Sequence, residues 1–113
     1  MTEINAVTLR VEKTLSLVPT GNVVSYGQLA DLCGLPGRAR LMGKCLKSLE
    51  GHHNWHRVLR ADGRIAFPQD SKLGQEQSMR LLEEGVWVKN GRVRIKDYGW
   101  QPDLYAILSE LKY

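Results

Sequence analysis

The residues able to do covalent or metal chemistry in this 113-residue chain are few, and their placement argues against both kinds. Cys33 and Cys45 are the two thiols. Both fall on the apolar side of helical patterns, where a thiol keeps its proton and is a poor nucleophile, so each reads as a small core residue. The three histidines are His52, His53 and His56. Two adjacent side chains cannot readily face one ion, so no metal site and no cofactor is expected. What remains is a concentration of cations. Between Arg38 and Arg64 stand Arg38, Arg40, Lys44, Lys47, Arg57, Arg60 and Arg64 against Glu50 and Asp62, a local charge of +5 that leaves −1 for the rest of the chain. That is the electrostatic footprint of a polyanion-binding segment, although a solvated basic face would give the same charge.

The elements that must position these residues follow from apolar spacing. Ile4, Val7, Val11, Leu15 and Val18 repeat at helical intervals, which predicts a helix over 4–17 ended by Pro19-Thr20-Gly21. Val23-Val24 reads as a short extended piece. Ser25 can cap a second helix over about 26–33, stopped by Gly34-Leu35-Pro36. A third helix is expected over about 38–49. Leu41, Met42, Cys45, Leu46 and Leu49 share its apolar face, and Arg40, Lys44 and Lys47 form a stripe opposite. Gly43 borders that stripe and would let another backbone approach closely.

Two short helices around a glycine-containing turn, the second carrying a basic outer stripe, make a helix-turn-helix pattern. Asp62-Gly63 predicts a hairpin joining 58–60 to 64–66, and Asn90-Gly91 a second one joining 86–88 to 93–95, with a helix over about 74–84 between them. The tail over 103–113 reads as a further short helix. The expected fold is mainly α with small β-hairpins, a winged helix-turn-helix forming a single domain over 1–113. The apolar fraction of 42% and charged fraction of 25% are those of an ordinary globule. No apolar run approaches the ~18 residues of a membrane span. The start, Met1-Thr2-Glu3-Ile4-Asn5, does not read as a signal peptide. A reducing, cytoplasmic setting is therefore expected, associated with the nucleoid if the source is bacterial.

Several motifs in order point further. Asn54-Trp55-His56-Arg57-Val58 resembles the Pro-Cys-His-Arg-Val active-site motif of the O6-alkylguanine-DNA alkyltransferases, with tryptophan in place of cysteine. Gly21-Asn22-Val23-Val24-Ser25-Tyr26-Gly27, Ala39-Arg40-Leu41-Met42-Gly43, Leu82-Glu83-Glu84-Gly85 and Tyr98-Gly99-Trp100-Gln101-Pro102 resemble further family motifs, so the likeness runs from about Leu9 to Pro102. It is closest to the alkyltransferase-like proteins, which lack the nucleophile.

The resemblance implies a role for each matching position. Tyr26 would push the phosphate of the target nucleotide and help rotate it out of the duplex. Arg40 would be the finger that fills the vacated place from the minor groove. Trp55 would lie along the extruded base as an aromatic wall, so Trp55 and Tyr26 form the lesion pocket. Ser25, Gly43, Lys44, Lys47 and Arg64 would contact the DNA backbone or adjoin it. His56 and Glu84 match a pair that activates the thiol in true transferases; with no thiol they become retained scaffold, as does Arg57. No catalytic residue is expected, because an indole supplies no thiolate.

Three departures stand out. Asn54 replaces the motif's proline, which is expected to leave the loop less rigid. The connection Glu50-Gly51-His52-His53 is shorter than in the family. Phe67-Pro68-Gln69 offers no cation to sense the guanine O6 position, leaving Arg64 as the nearest candidate.

The implied function is non-enzymatic recognition of O6-alkylguanine in double-stranded DNA, by a monomer that signals to nucleotide excision repair proteins and has no membrane partner. The alternative is a winged-helix, sequence-specific transcription regulator, which would need a dimer interface and does not need the Trp-His-Arg-Val motif.

Overall fold

The computed structural model describes residues 3–48 and 54–111. The elements run α1 (Glu3–Ser16), β1 (Val24–Ser25), α2 (Tyr26–Leu32), α3 (Ala39–Ser48), a 3-10 turn (Trp55–Arg57), β2 (Val58–Leu59), α4 (Lys72–Glu83), β3 (Val88–Lys89), β4 (Arg92–Val93), α5 (Ile95–Tyr98) and α6 (Leu104–Leu111). The mainly helical winged helix-turn-helix expected from spacing is what forms. Local chemistry explains the helix boundaries. Ser25 Oγ accepts from Gln28 N at 3.0 Å at the start of α2, and Ser71 Oγ does the same for Gly74 N at 3.1 Å at the start of α4, each satisfying an orphan amide of a first turn. The connection containing His52 and His53 lies outside the described residues.

Among the described residues, two apolar clusters form the core. In the first, Val11 and Leu15 of α1 meet Leu29 of α2 and Met42 and Cys45 of α3. In the second, Val23, Leu59, Ile65, Leu81, Val86 and Val93 come together under the hairpin. A parallel pair joins them: β1 and β2 align Val24 with Val58 and Ser25 with Leu59. Side chains alternate across a strand, so Val24 and Val58 enter the first cluster while Val23 and Leu59 enter the second. Val24, Val58 and Leu59 are buried and Ser25 is half-buried, in keeping with the burial usual for parallel strands. The strand edge continues into the C-terminal segment: Val23 N donates to Tyr98 O at 2.9 Å and Trp100 N to Val23 O at 2.8 Å.

That pairing corrects one expectation. The Asp62-Gly63 turn forms, with Arg60 N bonded to Arg64 O and Gly63 N to Arg60 O, but 58–60 and 64–66 are not two strands of one hairpin. β2 pairs with β1 instead, and Arg64 bridges antiparallel to Arg92. The reason is burial. Val58 and Leu59 are 1% and 0% exposed, so both faces of β2 need apolar cover, and an isolated hairpin covers only one. The second expected hairpin forms around Asn90 (φ 52°) and Gly91 (φ 72°), the two positive-φ positions that a type I′ turn requires. It joins β3 to β4, with Val88 opposite Val93.

Gly63 makes the tightest backbone approach between the turn and this hairpin. It sits at φ 89°, and a Cβ there would overlap the Val93 carbonyl oxygen. Gly63→Ala should therefore lower the unfolding free energy by about 2 kcal/mol or more, the scale of stored backbone strain. Urea denaturation checks this; an unchanged midpoint would contradict the close approach.

Candidate functional site

The 3-10 turn Trp55–Arg57 presents three adjacent side chains to three different surroundings. Arg57, 8% exposed, is fully occupied. Its Nε donates to Glu84 Oε1 at 3.0 Å. Nη1 reaches Val18 O at 2.8 Å and Asn54 Oδ1 at 2.7 Å, and Nη2 reaches Thr20 Oγ1 at 3.0 Å and Glu84 Oε2 at 2.7 Å. Each of the five N–H donors of a guanidinium thus has an acceptor. The fork-to-carboxylate geometry with Glu84 is the strong, bidentate kind.

Glu84 is the C-cap residue of α4. Besides Arg57, it accepts from Gly21 N at 3.0 Å and from His56 Nε2 at 2.5 Å. Burial works against its charge, but these donors outweigh it and hold the carboxyl down at about 2. His56 is itself buried, and burial lowers its pKa despite the Glu84 carboxylate. Burial thus disfavours the imidazolium, and a neutral ring facing Glu84 would carry its proton on Nε2. Nδ1 is buried with no partner among the described residues, and an imidazolium would place a second donor there. The backbone of the turn is pinned as well. Gln77 Nε2 of α4 donates to His56 O and Val58 O, both at 3.0 Å.

Asn54 reverses an expectation. The residue in place of the motif's proline is 2% exposed and acts as a clamp. Its Nδ2 donates to Leu15 O of α1 at 3.0 Å, and its Oδ1 accepts from Arg57. The loop is tied by side-chain bonds where proline would have stiffened the backbone.

Trp55 is half-buried and stands outside the hydrogen bonds just described. Its ring packs edge-on to Phe67 at 6.1 Å between centroids, with His56 at 6.4 Å. The Arg80 guanidinium lies 5.7 Å from its centre, within cation–π range, and is ion-paired with Glu76 at 3.2 Å. Arg80 was not singled out from sequence, and Phe67 was noted only as part of a segment without a cation. Each reaches Trp55 from a distant segment, so no local spacing could reveal the contact. The cation beside Trp55 is Arg80, whereas Arg64 is exposed next to Asp62 at 3.5 Å and faces a groove under the hairpin.

The remaining candidates lie on the helix-turn-helix. Tyr26 opens α2 and packs partly against the first cluster; burial pushes its phenol up, with the Arg60 charge opposing. Ser25 caps that helix. Arg40, Lys44 and Lys47 are exposed on α3, and a Cβ at Gly43 would meet nothing, so the protein's own packing does not require glycine there. Cys33 and Cys45 are free and buried.

Among known proteins, the family model of the 6-O-methylguanine DNA methyltransferase DNA-binding domain matches residues 6–86. Alkyltransferase-like protein 1 of Schizosaccharomyces pombe is 36% identical over 92 residues, 75% of this chain and 85% of that protein. The DNA base-flipping protein of Escherichia coli is 38% identical over 94 residues, 80% of this chain and 71% of that protein. Among solved structures, S. pombe Atl1 in complex with damaged DNA containing O6-carboxymethylguanine superposes with a TM-score of 0.79 at 32% identity, covering 90% of this chain and all of that one. Mycobacterium tuberculosis OGT in complex with DNA gives 0.57 at 30% identity, covering 75% of this chain and half of that one.

The Glu84 network has a pH signature. The folded pKa of about 2 lies below the ordinary value of 4.5. Its stabilisation is therefore complete above pH ~4.5 and lost as pH falls toward 2. Glu84→Gln should be less stable at pH 7 and show a flatter decline over that window in urea titrations. A wild-type-to-variant difference that stays constant from neutral to acid pH would contradict the assignment.

Proposed function

This chain belongs to the family of the 6-O-methylguanine DNA methyltransferase DNA-binding domain, and from that premise we propose that it recognises O6-alkylguanine in duplex DNA without repairing it. The observation that carries the reading is Trp55. His56, Arg57, Asn54 and Glu84 are joined in one hydrogen-bond network, while the residue it presents has no nucleophilic atom. Relatives named as an alkyltransferase-like protein and as base-flipping proteins support the same reading, as does the likeness to a complex with O6-carboxymethylguanine DNA.

In this scheme the exposed cations of α3 give salt-sensitive affinity for the backbone. Tyr26 displaces the target phosphate, and Arg40 takes the place of the extruded base. An O6-alkylguanine pairs poorly, so flipping it costs less than flipping guanine, against a penalty on the order of a few kcal/mol. The alkyl group then gains apolar contact beside Trp55, at roughly 0.8 kcal/mol per buried CH₂. Selectivity is the sum of both effects. The protein acts as a monomer in the cytoplasm, at the nucleoid if bacterial, and the occupied lesion becomes a signal to nucleotide excision repair proteins.

Fluorescence anisotropy with matched duplexes at fixed salt tests the reading. The expected result is tighter binding to O6-methylguanine than to guanine; equal affinity at every salt concentration would refute it. Within the basic stripe, Arg40→Ala should cost lesion binding on the order of the unstacking energy, a few kcal/mol, while Lys47→Ala removes only a phosphate contact. Equal losses would reduce Arg40 to ordinary electrostatics. The intact mass of the protein should also stay constant after incubation with methylated duplex. A methyl-sized gain on Cys33, Cys45 or any other residue would show alkyl transfer.

A further inference from the structure

Two grooves flank the β3–β4 hairpin, and neither includes a residue of α3, Tyr26 or Trp55. One, about 920 Å³, has Ile65, Phe67, Tyr98 and Trp87 on its apolar surface, and Arg64, Lys89, Arg92 and Arg94 around it. The other, about 660 Å³, runs between α4 and the hairpin past Met79, Leu82 and Val88. They meet at Gln69, Asn90 and Gly91. Trp87 is 68% exposed, Met79 56% and Leu82 50%. Large apolar side chains gathered at one exposed surface, rimmed by charge, mark an interaction site more often than an ordinary surface.

We infer that these joined grooves are a docking surface for another protein, and that the segment they take is acidic with apolar anchor residues. The inference deepens the signalling step proposed above and rests on it. Charge gives the sign of the partner. Four cations line the larger groove with one carboxylate, Asp97; Arg94 pairs with Asp97 at 3.4 Å and Arg64 with Asp62 at 3.5 Å, and Lys89 and Arg92 add to them. Shape and polarity give its class. A duplex backbone would use the cations but gain nothing from the apolar floor or from Met79 and Leu82. An amphipathic segment uses both, laying anchors into the grooves and carboxylates against the rim. Exposed tryptophan and arginine are also the side chains that most often dominate protein interfaces.

The test is selection of a displayed random-peptide library on the full chain, counter-selected on the Trp87→Ala/Arg94→Glu variant. Both positions are exposed, so folding is preserved; Lys89→Glu serves as a second, independent variant. The expected yield is peptides rich in aspartate and glutamate with aromatic or aliphatic anchors. Their affinity should fall at least about tenfold in either variant, the loss typical of an interface hot spot, and stay unchanged in Lys47→Glu. Affinity for O6-methylguanine duplex should be the same in the groove variants as in the wild type. No enrichment, or enrichment of basic peptides, would overturn the inference. So would groove variants that lose duplex or oligo-dT binding, which would make the surface a nucleic-acid site. Self-association abolished by Trp87→Ala would assign it to a second copy and overturn it as well. Failure of the wild type to prefer the methylated duplex would sink the lesion reading instead, and is read in a separate arm.

Discussion

One carboxylate holds the site together. Glu84, at the end of α4, accepts from the Gly21 amide, from both ends of the Arg57 fork and from His56. Those donors come from the turn after α1 and from the Trp55–Arg57 turn. Through Arg57 the tie extends to Val18, Thr20 and Asn54, and through Asn54 to Leu15 of α1. The two apolar clusters are therefore linked by a partly buried ion pair as well as by the β1–β2 pairing. Such a pair is a constraint more than a source of stability. Removing one member strands the other charge and costs about 3–5 kcal/mol, whereas well-packed apolar residues could hold the same space as cheaply. Its value lies in direction, since a guanidinium with five acceptors in place permits one loop geometry.

None of these hydrogen bonds runs through the Trp55 side chain. That separation explains how a site can keep its scaffold and present an indole where relatives of the transferase kind present a thiol. A sensor has only equilibrium binding, so extrusion, gap filling and contact with the alkyl group must together supply the residence time. The packing of Trp55 suits that demand. Phe67 fixes the ring at its edge and Arg80 lies within cation–π distance, which limits the rotamer freedom to be lost when a base arrives. Phe67 also lines the groove under the β3–β4 hairpin, so that groove adjoins the Trp55 site.

Much of this was legible in the sequence, for identifiable reasons. Apolar spacing located α1 and α3 because each buries one stripe. Ser25 and the Asn90-Gly91 pair have short-range chemistry that marks a cap and a type I′ turn. The resemblance drew attention to Trp55, His56, Arg57 and Glu84, and the structure brings these four together. The β1–β2 pairing was not legible, because two-residue strands carry no period and Val58-Leu59 reads equally well as half of a hairpin. Nor was the Asn54 clamp: loss of a proline suggested looseness, and only the positions of Leu15 and Arg57 show the opposite. Arg80 and Phe67 meet Trp55 through tertiary packing alone.

The most direct test of the central claim uses Trp55 as its own reporter. In a Trp87→Phe/Trp100→Phe variant, Trp55 is the sole tryptophan. If an extruded base lies along its ring, saturating O6-methylguanine duplex should quench its emission strongly, and guanine duplex at equal occupancy should quench it far less. Full binding of the methylated duplex with Trp55 emission unchanged would mean that the lesion is held elsewhere, and would contradict the account.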